Sequence, residues 1–132
     1  MSNIHGPKAS KRRLLMSVTT SILLYGAEVW ADALRKDKYS RKMTGVQYQS
    51  ALRVSSSYRT VSKPAIMVIA GIITIALLAC ENKYIFERKI EVGKAATKEK
   101  ARSRNTEHWK TRWTNETRER WISQLTNSIA PW

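Results

Sequence analysis

Cysteine is almost missing from these 132 residues: Cys80 stands alone. No internal disulfide can form, which excludes the stapled architecture of small secreted domains and points to a reducing compartment. Aspartate is nearly as scarce, with Asp32 and Asp37 in unrelated surroundings. A two-metal phosphoryl-transfer centre needs paired carboxylates, and the chain has no aromatic-x-Asp-Asp turn to supply them. His5, His108 and Cys80 are isolated, so three or four zinc ligands cannot be gathered. Both histidines lie in polar terminal regions, and no nucleophile–base–orienter set can be assembled around them. A glycine-rich phosphate loop is also missing. No catalytic, metal or cofactor residue is therefore assigned. Cys80 closes an apolar run and reads as a small buried hydrophobe. Met1 to Arg13 carries no cleavage pattern of a signal peptide.

What the chain has in excess is positive charge. Lysine and arginine number 24 against 10 acidic residues, a net charge of +14. Such a field attracts polyanions, nucleic acid first and an anionic membrane second; a solubilising surface or a ribosomal-type tail would carry the same charge. Hydrophobic residues make up 42%, enough for one domain with a modest core. Pro64 to Cys80 is an uncharged run at the lower limit for a spanning helix. Pro64 and Gly71 fall where they would start and stop a shorter helix, and Thr74 falls where a new one would be capped. Two core helices joined by a tight turn are expected there, and a small basic single-pass membrane protein is the competing reading.

The remaining patterns are helical, with no convincing strand, and predict an all-α irregular bundle of about five helices. Gly6-Pro7 reads as a helix entry. Leu14, Val18, Ile22, Tyr25, Val29 and Ala33 then recur at steps of three and four, one apolar face expected to pack inward. Lys8, Lys11, Arg12 and Arg13 crowd the start of this helix, where cations oppose its dipole and an external anion would relieve the cost; simple disorder of the first dozen residues explains them equally well. Glu28 lies within the apolar half, so an ion pair to Arg53 or Arg59 is expected, with a carboxylate at the rim touching only water as the alternative. A second helix is predicted from Lys38 to about Ser56, with sparse apolar positions at Tyr39, Met43, Val46 and Val54. At about 100° per residue, Lys38, Lys42, Gln49 and Arg53 fall within about one sixth of its circumference, and Arg59 follows. A basic stripe of this kind can track a phosphate backbone; a solvated face is the plainer account.

Ser62 is placed to cap a short helix ending near Gly71. A fourth helix from about Thr74 puts Ile75, Leu78, Ala79, Phe86 and Ile90 on one face, packed along its first half. Residues 93–104 read as a charged helix or linker that stays out of the core, or as a basic arm on nucleic acid. Trp109 and Trp113 share a helical face and are expected to pack, with base stacking as the alternative. Asn115 is placed to cap a last helix carrying Trp121, Ile122 and Leu125. The division drawn from this is residues 1–92 as a helical segment and residues 93–132 as a charged arm with tryptophan-rich helices.

Several blocks, in order, resemble a family. Arg12 to Ala31 (RRLLMSVTTSILLYGAEVWA), Ala51 to Val54, Tyr58 to Ser62 and Val68 to Gly71 resemble a segment of insect-type non-LTR (LINE-like) retrotransposon Pol proteins. Met1 to Pro7 looks like the end of the preceding family segment. Trp109 to Trp113 and Arg120 to Trp132 resemble the region before a Cys/His-rich module. The resemblance runs the whole chain, although none of its motifs is catalytic and the proline usual near Thr74 in the family is missing. It implies the thumb and helical connection that follow the palm of a reverse transcriptase, truncated at both ends and without the catalytic aspartates. The implied role is non-enzymatic: holding a template–primer and scaffolding the polymerase. Partners would be RNA or an RNA–DNA duplex at low specificity and the remainder of a Pol polyprotein, with no small-molecule substrate. The location would be intracellular, nuclear or cytoplasmic. Lys11, Arg12, Arg13, Lys38, Lys42, Arg53 and Arg59 are the candidate nucleic-acid contacts, chosen on charge and helical phase. A helical interaction bundle with incidental charge is the remaining alternative.

Overall fold

The computed structural model describes residues 6–115. Among them lie six α-helices and no strand: α1 (Ala9–Leu23), α2 (Ala27–Trp30), α3 (Asp37–Ser55), α4 (Lys63–Ala70), α5 (Ile75–Val92) and α6 (Lys94–Asn115), with a 3-10 turn (Ala31–Arg35) between α2 and α3. The all-α expectation holds. The last helix expected beyond Asn115 lies outside the described residues.

The first helix is shorter than its periodicity suggests. Gly26 adopts a left-handed φ of 64°, which ends the helix and starts α2 in a new direction. The two segments meet at 55°. The expected inward face is also reversed. Leu14, Val18, Ile22, Tyr25 and Val29 are 50–87% exposed, and only Met16 of α1 is buried. Periodicity shows that a face is apolar; it does not show which wall that face meets. Here the core is filled by a denser apolar run, residues 65–79, and α1 has only a lateral seat on α3.

That run is split as the sequence indicates. Ser62 caps α4, its hydroxyl accepting from the Ala65 N–H at 3.4 Å. Gly71 ends the helix at φ 67°, and the Ile72 N–H reaches back to the Met67 carbonyl at 2.8 Å. The α4–α5 pair is bent by 62°, and no single helix among the described residues is long and apolar enough to cross a membrane. Ile66, Met67 and Ile75 are at most 1% exposed. Burial of each such side chain is worth roughly 1.5–3 kcal/mol, so the run is committed to a protein core.

Two layers of the core share α4. Ala65 and Val68 face α5 and α6, where Leu77, Leu78, Trp109 and Trp113, with Ile73 of the α4–α5 turn, complete the cluster. Ile66, Met67 and Ala70 face α3 and α1, meeting Ala51, Leu52 and Met16. A third, small-residue cluster joins Ala27, Ala31 and Leu34 to Ala79 of α5. Lys83 of α5 hydrogen-bonds Asp32 of the 3-10 turn, and that bond holds the Asp32 carboxyl below its ordinary range and raises the Lys83 ammonium. The pair stabilises only while Asp32 is ionised, so its contribution, small at a surface, is lost as pH falls through the depressed carboxyl value.

Four side chains settle against expectation. α3 buries Gln47, Ala51 and Leu52, whereas Tyr39 and Val46 are about half exposed. Cys80 is exposed, because Ala79 and Glu81 take the inward positions on either side of it. Glu28 is half-buried in the first turn of α2 and has no ion pair among the described residues. Its place near a helix N-terminus gives the carboxylate a favourable field without an arginine. Residues 93–104 are not a solvated arm. α6 lies antiparallel on α5 after a turn at Gly93, with Thr97, Ala101, Asn105, Trp109 and Trp113 buried in an unbroken i, i+4 row.

Candidate nucleic-acid interface

The stripe on α3 forms as helical phase requires. Lys38, Lys42, Gln49 and Arg53 are all exposed, and neither lysine nor Arg53 has an ion pair among the described residues. The other flank of α3 is different: Asp37 and Arg41 sit 3.5 Å apart and neutralise one another. The stripe is therefore a run of uncompensated cations, with an amide, Gln49, in the middle that can donate to a phosphate oxygen.

The N-terminal basic cluster separates into two kinds of residue. Arg12 is half-buried and donates to Ser56 Oγ at 2.8 Å, just past the end of α3. Its guanidinium is thus a tie between α1 and α3. Lys11 and Arg13 are exposed on either side of it. Because α1 runs antiparallel to α3, this cluster is brought to the Arg53 end of the stripe. Arg59 is exposed in the loop before α4. That loop is held by Tyr48, whose hydroxyl donates toward the carbonyls of Arg59 (2.9 Å) and Val61 (2.8 Å).

A second basic feature escapes a reading by stripe. Between the starts of α4 and α5 and the end of α6 lies a cleft of about 400 Å³. Pro64, Met67, Trp109 and Trp113 give it apolar walls, Thr74 lies at its edge, and the exposed Lys63 and Arg112 supply two cations. The tryptophan spacing signals a shared face. The elements that close the cleft against that face are some forty positions earlier in sequence, and no local pattern announces them. No group of three or more His, Cys, Asp or Glu residues among those described is placed to hold a metal ion.

The chain matches no protein-family model, no curated protein and no solved structure.

Proposed function

We propose that the chain is a non-enzymatic, helical nucleic-acid-holding module, of the kind that the resemblance to the thumb and connection of a non-LTR retrotransposon reverse transcriptase implies. The observation that carries this reading is the cationic face of α3, where Lys38, Lys42 and Arg53 have no ion pair among the described residues. Exposed cations free of carboxylate partners bind phosphate at little desolvation cost and release condensed counterions when they do so. The face is spread along a helix with no concave reading surface, so it favours contacts to the backbone of RNA or an RNA–DNA duplex with little sequence preference. The exposed apolar face of α1 supports the second implied partner, the remainder of a larger Pol protein, because an apolar strip of this length is seldom left to water. That strip also keeps the interaction-bundle reading in play; charge dependence of binding separates the two.

The purified chain should bind a short RNA–DNA duplex with an affinity that falls linearly in log–log form with salt. Reversing Lys38, Lys42 and Arg53 together to Glu should weaken binding by about tenfold or more and flatten the slope by about two to three. Fluorescence anisotropy across a salt series reads both quantities. A triple variant that binds as the parent does would reduce the stripe to a solvated face.

The same preparation should extend no primer with template, nucleotides and Mg²⁺, because the carboxylate pair that would hold the metal ions is missing from the chain. Metal-dependent extension that survives rigorous purification would overturn the non-enzymatic reading.

A further inference from the structure

Two apolar stretches of the chain are bent at a glycine, and they are placed differently. The α4–α5 pair supplies the core, whereas the α1–α2 pair, bent by 55°, is left largely outside it. Leu14, Leu15, Val18 and Ile22 are 50–70% exposed and fall within about 100° of the circumference of α1. Tyr25 and Val29 follow, each at least 85% exposed. The six present on the order of 700 Å² of surface, above the ~300–600 Å² of the largest apolar patch on an ordinary monomer and close to the ~800 Å² that each partner gives to a standard stable interface. The hydroxyls of Ser17 and Thr19 donate to the Leu14 and Leu15 carbonyls of their own helix at 2.7 and 3.0 Å, so covering the strip strands neither donor.

The strip has a basic end and an acidic end. Lys11 falls in the same sector of α1 as Leu14 and Ile22, Lys8 precedes it, and both are exposed without an ion pair among the described residues. Glu28, half-buried and likewise without an ion pair, stands beyond the other end. The order is symmetric about Val18. Four positions to either side are Leu14 and Ile22, seven to either side are Lys11 and Tyr25, and ten to either side are Lys8 and Glu28. A two-fold axis at Val18 therefore sets apolar side chain on apolar side chain, and brings the lysines of one strip to the Tyr25–Glu28 end of the other. Steps of three and four are the spacing with which paired helices interlock. A parallel pairing would bring lysine onto lysine. Gly26 redirects the chain after Tyr25, so the helical contact is confined to α1 and the charged groups meet beyond its apolar part.

We infer that the exposed face of α1 is the seam of an antiparallel homodimer, its occupant a second copy of this chain. Each copy keeps one side of α1 on its own α3 and offers the other side to its partner. The net charge of +14 opposes self-association, but charges farther apart than about 8 Å are screened at physiological ionic strength, and at the seam each lysine end meets a carboxylate. A bilayer fits the strip less well. An interfacial helix carries cations along its polar side, whereas here they crowd one end and one flank of the strip is Ser10, Ser17 and Ser21. Anionic headgroups would also face Glu28. The inference stands apart from the nucleic-acid reading, which rests on α3.

Sedimentation equilibrium of the full chain over a concentration series should show the mass rise from 15.1 kDa to twice that, with a Kd in the micromolar range. Val18→Glu places two carboxylates at the axis and should weaken the dimer about tenfold or more, since like charges juxtaposed across an interface are strongly unfavourable. Lys8→Glu alone and Glu28→Lys alone should each weaken self-association about two- to fivefold, the scale of an exposed ion pair. An equimolar mixture of those two variants should recover the parent affinity, because each altered residue then faces its opposite charge. A purely structural effect on either monomer would persist on mixing. If Val18→Glu loses its fold, as read by circular dichroism, the mixing experiment decides. A chain that stays monomeric through the micromolar range overturns the dimer, as does a dimer indifferent to Val18→Glu or not restored by mixing. Loss of binding to phosphatidylserine vesicles on Val18→Glu, in a chain that sediments as a monomer, also overturns it and assigns the strip to a bilayer. RNA binding through α3 should survive Val18→Glu, so the dimer and the nucleic-acid reading fail separately.

Discussion

Replacing Gln47 with Leu should destabilise the fold by about 2–4 kcal/mol, even though leucine is close in size and the better helix former. Gln47 has no solvent exposure, and its amide stands where the α4–α5 corner has no backbone partner of its own. Its Nε2 donates to the Ile73 carbonyl at 2.8 Å, and its Oε1 accepts from the Ile75 N–H at 2.9 Å. Leucine would strand both groups in the core, and each stranded group costs about 1–3 kcal/mol. Urea denaturation should show a lower midpoint at an unchanged slope, the mark of a native-state effect. Gln47→Glu is a sharper probe. Its carboxylate would face the Ile73 carbonyl, so the folded site favours the protonated form. The unfolded chain releases that proton in the ordinary carboxylate range, and the variant should lose further stability as pH rises through it. A Leu variant as stable as the parent would remove Gln47 from its role as the pin of this corner.

A loss of about 2–3 kcal/mol is likewise expected for Asn105→Leu. The Asn105 side-chain amide donates to the Leu77 carbonyl at 2.8 Å and to Glu81 Oε2 at 2.7 Å. Glu81 has a side chain only 3% exposed, and its other oxygen meets Arg102 at 3.0 Å. Leucine at position 105 leaves a buried carboxylate oxygen without its donor, and hydrogen bonds to charged groups are the expensive ones to lose. Pairing the change with Glu81→Leu should recover part of the loss. The whole buried network is then replaced by apolar volume, and Arg102, 44% exposed, can turn to water. A double-mutant cycle that shows simple additivity would mean that Asn105 and Glu81 do not act as a unit.

How far the fold could be read in advance depends on what kind of signal each element carries. α4 was legible because its ends are set by local chemistry: a serine oxygen for the first N–H groups and a glycine free to take a left-handed φ. The α3 stripe was legible because helical phase alone places Lys38, Lys42 and Arg53. α6 was not, since its buried row begins with threonine, alanine and asparagine. Those residues carry almost no hydrophobic signal, and Asn105 is held inward by hydrogen bonds to the Leu77 carbonyl and Glu81, partners more than twenty positions away. The apolar face of α1 misled for the opposite reason, being strongly hydrophobic yet left outside a core already filled by residues 65–79.

The sequence by itself determined the all-α class, the helix boundaries around Ser62 and Gly71, and the phase of the basic stripe. Each follows from composition or from interactions within a few residues along the chain. Tertiary structure alone decided that Arg12 ties α1 to α3 rather than facing solvent, that Gln47 replaces Thr74 as the cap of α5, and that Lys63 and Arg112 share a cleft with Trp113. Those outcomes join residues tens of positions apart, and they depend on which polar groups the packed core leaves without water.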